Sequence, residues 1–175
     1  MGTSRGFTLI ELLVTIAVLA IIATMAAPSF GNLISEQKLN SSARELVMSI
    51  NQAKSQAALK KTTVALCLNR TNTDNDFTKG ECATAMIPEY TATNPGPPVV
   101  SALTAAQKQE VLKSRVISVQ IDPAVVVEST SATAVLFSDI GSADSASTFG
   151  FCKSGKQRAV SVTRLGIISQ TSGTC

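Results

Sequence analysis

Few residues in this chain have the type and spacing to do chemistry. One carboxylate, Glu11, stands inside an otherwise apolar run. Cysteines lie at Cys67, Cys82, Cys152 and Cys175, and Asp74, Asn75 and Asp76 form a small acidic group. Residues 151–175 hold no acid but four bases, Lys153, Lys156, Arg158 and Arg164. The chain has no histidine, which removes most acid–base schemes and the commonest metal ligand. No nucleophile–base pair or metal constellation can be assembled, so the expected class is not an enzyme, with no metal, no cofactor and no small-molecule substrate.

Each group has a bland reading beside a sharp one. Asp74 to Asp76 do not meet the EF-hand spacing, because the glycine and the distal bidentate Glu are misplaced, so a solvated turn is expected. No two cysteines are close enough for a CxxC zinc or redox site. Four cysteines allow three pairings. Cys67 with Cys82 closes a polar loop and Cys152 with Cys175 ties the C-terminus to a late strand, so this local pairing is favoured. The bases could meet DNA phosphates, but no aromatic residue interleaves them after Phe151 to stack on single strands. Solvated side chains at a subunit interface are the default. A net charge of +3, from 15 basic and 12 acidic residues, also does not mark a dedicated nucleic-acid binder.

Glu11 gains meaning from its surroundings. Phe7 to Phe30 is almost wholly apolar, and Thr15 is the one polar residue from Leu12 to Ala23. As a helix this stretch spans roughly 36 Å, enough to cross a hydrocarbon core of roughly 30 Å. Arg5 precedes it and keeps the N-terminus cytoplasmic. A secretory signal peptide, with small residues at Ala23 to Ala27, is the alternative. It leaves Glu11 without a purpose, although a charge there costs roughly 3 kcal/mol unless paired.

The run Gly6-Phe7-Thr8-Leu9-Ile10-Glu11-Leu12-Leu13 resembles the processing site of type IV prepilins and type II secretion pseudopilins. The resemblance implies cleavage after Gly6 by a prepilin peptidase and methylation of the new Phe7 amine. Pro28 sits where pilins commonly carry a helix-bending proline. Glu11 then has a physical role, because a carboxylate from one subunit can neutralise the Phe7 amine of a neighbour within the membrane zone. The bland reading of Glu11 is a carboxylate snorkelling at the cytoplasmic interface.

Several elements must carry these residues. After Pro28, Leu39, Ala43, Leu46, Val47, Ile50, Ala53 and Ala57 form an apolar stripe at helical spacing, closed by Lys60 and Lys61. A stripe on an extramembrane helix is expected to pack on a sheet. Val64, Leu66 and Leu68 alternate with Thr63, Ala65 and Cys67, which reads as a strand. Residues 69–80 read as a polar loop. Pro88 to Ser101, with Pro95, Gly96, Pro97 and Pro98, reads as an extended surface excursion. Leu103 to Lys113 reads as a short helix. Strand patterns follow at Arg115–Ile121, Ala124–Glu128, Thr133–Ser138, Thr148–Lys153, Arg158–Arg164 and Ile167–Gln170.

The expected fold is α+β, a long N-terminal helix packed on an antiparallel β-sheet head. The expected organisation is a leader at 1–6, a transmembrane and assembly helix at 7–30, its amphipathic continuation at 31–61, and a β-rich periplasmic head at 62–175. Phe149 to Cys175, with Phe151-Cys152, Gly155, Arg158, Val160, Val162 and Gly166, resembles the end of the GspH/FimT family of minor pilins and pseudopilins. Leu136-Phe137 followed by Gly141 resembles that family's strand and turn. A Trp after the second cysteine, common in that family, is absent. So is the Gly-Arg-x-Arg run of members thought to bind DNA; here the order is Thr163-Arg164-Leu165-Gly166.

The resemblance implies a minor type IV pilin of the pilus tip or initiation complex, supporting pilus biogenesis, twitching motility and DNA uptake. The alternatives are a minor pseudopilin of type II secretion and a DNA-binding pilus subunit for natural transformation. The implied partners are other minor and major pilins, the prepilin peptidase and the inner-membrane assembly platform, with weak DNA contact through the four bases. The implied location is a single-pass inner-membrane protein with a periplasmic head, later at the cell surface.

Overall fold

The computed structural model describes residues 7–73, 76–91 and 103–175, without the side chains of 25–29. Gly6 with the rest of the leader, the Pro28 side chain, Asp74, Asn75, and Pro95, Gly96, Pro97 and Pro98 lie outside the described residues. The chain forms two compact units, Met1–Gln37 and Lys38–Cys175. Helix α1 (Leu9–Lys60) supplies the first and, from Lys38 onward, contributes to the second.

The expected stripe does what its spacing predicts. Leu39, Ala43, Leu46, Ile50, Ala53 and Ala57 are buried in one core with Val64, Leu66, Leu68, Phe137, Phe149, Phe151, Val160 and Val162, and Val47 packs against it. Lys61 takes a left-handed conformation (φ 52°), which stops the helix before β1 (Val64–Leu68).

Strand β1 is central in a three-stranded sheet ordered β2-β1-β4, with β2 at Val116–Val119 and β4 at Ala134–Phe137. All five of its residues are buried. Its period-two alternation therefore separates two apolar cores, as expected for a strand covered on both faces. Val64, Leu66 and Leu68 meet α1, while Ala65 and Cys67 join Cys82, Ala83, Ile87, Val111 and Val116. β4 pairs with β1 antiparallel, but β2 pairs with it parallel. A parallel neighbour needs a crossover, here built from α2 (Lys79–Met86), α3 (Pro88–Thr91) and α4 (Ala105–Ser114). The start of the proline-rich stretch is thus a short helical turn and not an extended loop, since proline is tolerated at a first helical position.

The second sheet is antiparallel, ordered β3-β5-β6-β7 (Val126–Val127, Ser147–Lys153, Lys156–Val162, Ile168–Thr174). Ser154 and Gly155 join β5 to β6, both at positive φ (51° and 74°), the tight turn that suits strand twist. The whole is an α+β fold with its helix against sheets.

Candidate assembly site

The first part of α1 is apolar on every side, and its described side chains are left uncovered. Leu9, Ile10, Leu12, Leu13, Val14, Ile16, Val18, Leu19, Ile21 and Ile22 are all exposed. A helix apolar all round requires an apolar surrounding. Its few polar groups are turned inward on the helix. Thr15 and Thr24 each donate their hydroxyl to a carbonyl three residues back, at Leu12 and Ile21, both at 2.8 Å. Thr8 accepts from the Glu11 N–H at 3.3 Å.

Glu11 differs, because among the described residues its carboxylate has no ion-pair partner. Phe7, four residues earlier, is 80% exposed. Glu11 and Phe7 are therefore both open to contact from another molecule. Among the described residues no helix is long and apolar enough to cross a membrane; the described side chains of the apolar run stop at Thr24 before the gap at 25–29.

The cysteines are paired as Cys67–Cys82 and Cys152–Cys175, with Cα separations of 6.1 and 6.0 Å. The first bridge fastens α2 to β1 and the second fastens β7 to β5. Glu128 lies over the second bridge. Its Oε1 accepts from Gln157 Nε2 at 2.6 Å and sits 2.9 Å from Cys152 Sγ. Glu128, Cys152 and Cys175 have the grouping of metal donors, but the two sulfurs are spent on each other. Gly150 makes this possible, since a Cβ there would collide with the Glu128 carboxylate.

The four bases are not one patch. Lys153 Nζ donates to the Ala124 carbonyl at 2.8 Å. Arg158 is half-buried and donates from Nε to Asn40 Oδ1 of α1 at 2.8 Å. Lys156 opens β6 and Arg164 lies in the turn beyond its far end, with about 20 Å of strand from Lys156 to Val162 between them. Lys153 and Arg158 therefore serve the fold.

Sequence reasoning did not find the residues that tie α1 to the sheets. Lys54 Nζ donates to the Gly166 carbonyl at 2.6 Å, and Lys38 pairs with Asp122 at 3.3 Å. Both are lone cations near the apolar stripe, with partners too distant in sequence to be paired by spacing. Asp122 is held below its ordinary pKa chiefly by the Ala124 N–H on Oδ1 (2.8 Å), with Lys38 adding to it against some desolvation.

An exposed apolar helix with a lone carboxylate, followed by a disulfide-bonded α+β unit, defines a type IV pilin-like subunit. Residues 1–27 match the prokaryotic N-terminal methylation motif, and residues 42–166 match the type II transport protein GspH. The chain belongs to the GspH family, a group of structural proteins that includes minor pilins and pseudopilins. No curated protein matches it. It is similar to a solved structure, the type IV minor pilin FimU of Pseudomonas aeruginosa strain PAO1, at 13% identity and a TM-score of 0.43 over 79% of this chain and 92% of that one.

Proposed function

We propose that this chain is a minor pilin. It is cut after Gly6, methylated at Phe7, held in the inner membrane by residues 7–30, and drawn into the tip or initiation complex of a type IV pilus. The uncovered apolar helix with unpaired Glu11 carries this reading, because burying that carboxylate is tolerable only beside a cation. The Phe7 amine of a neighbouring pilin is such a cation. Pilus growth, twitching motility and DNA uptake follow from that place in the filament. The partners are the prepilin peptidase, other major and minor pilins and the assembly platform.

The family match to a type II transport protein favours a second reading, a minor pseudopilin of the secretion system. Mass spectrometry of the mature N-terminus, with immunoblotting of sheared surface filaments, separates the two. A methylated chain starting at Phe7 in the filament fraction supports the pilus. The same chain confined to the envelope, with secreted enzymes lost on its deletion, supports secretion. An unprocessed chain ends both readings.

A further inference from the structure

The two disulfides sit in different surroundings. Cys67 and Cys82 are each 1% exposed, in an apolar core with Ala65, Ala83, Ile87 and Val111. Cys152 is half-buried and Cys175 is exposed. Both line an open cavity of about 640 Å³, together with Asn72, Val126, Glu128 and Gln157. Thiol–disulfide exchange needs a thiolate to reach a sulfur. A dithiol can therefore open the second bridge while the first stays closed.

Cutting that bridge leaves its two ends in place. β6 lies between β5 and β7 and pairs with both along its whole length. Cys152 is opposite Gln157, Thr174 is opposite Lys156, and the Cys175 N–H donates to the Gly155 carbonyl at 3.3 Å. Both sulfurs thus stay beside Glu128, whose Oε1 is 2.9 Å from Cys152 Sγ and accepts from Gln157 Nε2 at 2.6 Å. One donor atom from each of Glu128, Cys152 and Cys175 lies within 4.8 Å of the others. Two thiolates and a carboxylate at that separation repel one another, and a divalent cation relieves the repulsion. Two sulfurs and one oxygen suit a borderline-soft ion such as Zn²⁺, with a water from the cavity in the fourth position. Gln157 supplies the outer hydrogen bond that orients a ligating carboxylate.

We propose that Glu128, Cys152 and Cys175 form a zinc site that is closed while the bridge is intact and is uncovered when a dithiol reduces it. The dithiol supplies both electrons. Its thiolate attacks Cys175 Sγ, the bond to Cys152 Sγ breaks, and Cys152 leaves as a thiolate. The second sulfur of the reductant then attacks the mixed disulfide. The reductant departs as a cyclic disulfide and Cys175 is freed. The two protons of the dithiol pass to the two cysteines, and Zn²⁺ displaces them to water on binding. The ion then ties β5 to β7 in place of the covalent bond. The site needs no neighbouring subunit, so it goes beyond the assembly role.

The test uses the full chain in detergent, reduced with dithiothreitol and desalted without oxygen. Alkylation with peptide mapping should mark Cys152 and Cys175 only. Cobalt(II), the spectroscopic stand-in for zinc, should give a thiolate-to-metal charge-transfer band in the reduced chain and none in the oxidised chain. Equimolar Zn²⁺ should remove that band and protect both thiols from alkylation. Glu128→Gln, in a chain that forms both bridges before reduction, should weaken Zn²⁺ binding by at least about tenfold, the least that losing a ligand's hydrogen-bond partner costs. Marking of all four cysteines or of none, a reduced chain without the band, or unchanged Zn²⁺ affinity in Glu128→Gln each overturns the proposal. The alkylation pattern and the cobalt spectrum of the unaltered chain decide it even where the variant does not fold.

Discussion

At the scale of single residues, two glycines with the same backbone conformation differ in what surrounds them. Gly155 and Gly166 both have positive φ, at 74° and 75°. A Cβ on Gly155 meets nothing, while on Gly166 it meets the Gly141 carbonyl oxygen and the end of Lys54. Gly155→Ala should therefore cost only the left-handed strain, roughly 1–2 kcal/mol. Gly166→Ala should cost more and should separate the turns that carry Gly141 and Gly166. Urea denaturation of both variants checks this, and equal losses would show that the Gly141–Gly166 contact contributes nothing. Carboxylates act at the same scale. Asp122 is stabilised in its charged form by Ala124 and Lys38, and Glu81 by the Thr78 backbone and hydroxyl. Both folded pKa values lie below the unfolded ones, so their contribution is full above about pH 4 and fades as pH falls through the folded values. Asp122→Asn should flatten the acid side of the stability profile, as measured by thermal melts across pH 2 to 6 (roughly the window of these titrations).

At the scale of elements, what was legible depended on how local the information was. The stripe from Leu39 to Ala57 and the alternation at Val64 to Leu68 are written in consecutive residues, and both elements stand where expected. Helix α2 was hidden, because its start lies within a polar stretch that reads as loop. A signal was present in Thr78 and Glu81, whose capping box is formed in full: Thr78 Oγ1 accepts from the Glu81 N–H at 3.3 Å, and Glu81 Oε2 accepts from the Thr78 N–H at 2.7 Å. Thr78→Ala should cost about 1 kcal/mol and should loosen the helix that carries Cys82, seen as faster amide exchange over 79–86. Unchanged exchange would mean that the Cys67–Cys82 bridge alone holds α2. The parallel pairing of β1 and β2 and the contacts of Lys54 and Arg158 were not legible, because each joins residues far apart in sequence and no spacing rule reaches them. For the same reason the bases of 151–175 read as one strip until β6 separated Lys156 from Arg164.

At the scale of the whole molecule, the two compact units make different demands on their surroundings. Every residue of the main core, from Leu39 to Val162, belongs to the unit that starts at Lys38, as do both disulfides. Among the described residues the buried side chains of both cores come from Leu39 onward. The first unit has the opposite character, with its described apolar side chains from Leu9 to Ile22 exposed and the Glu11 carboxylate without an ion-pair partner among the described residues. An apolar helix left uncovered in this way is stabilised by lipid or by like helices. A chain beginning at Ser35 should therefore be soluble without detergent, form both bridges, and unfold in one cooperative transition. The intact chain should require detergent or membrane. Aggregation with loss of the bridges would show instead that the disulfide-bonded unit depends on the helix ahead of it.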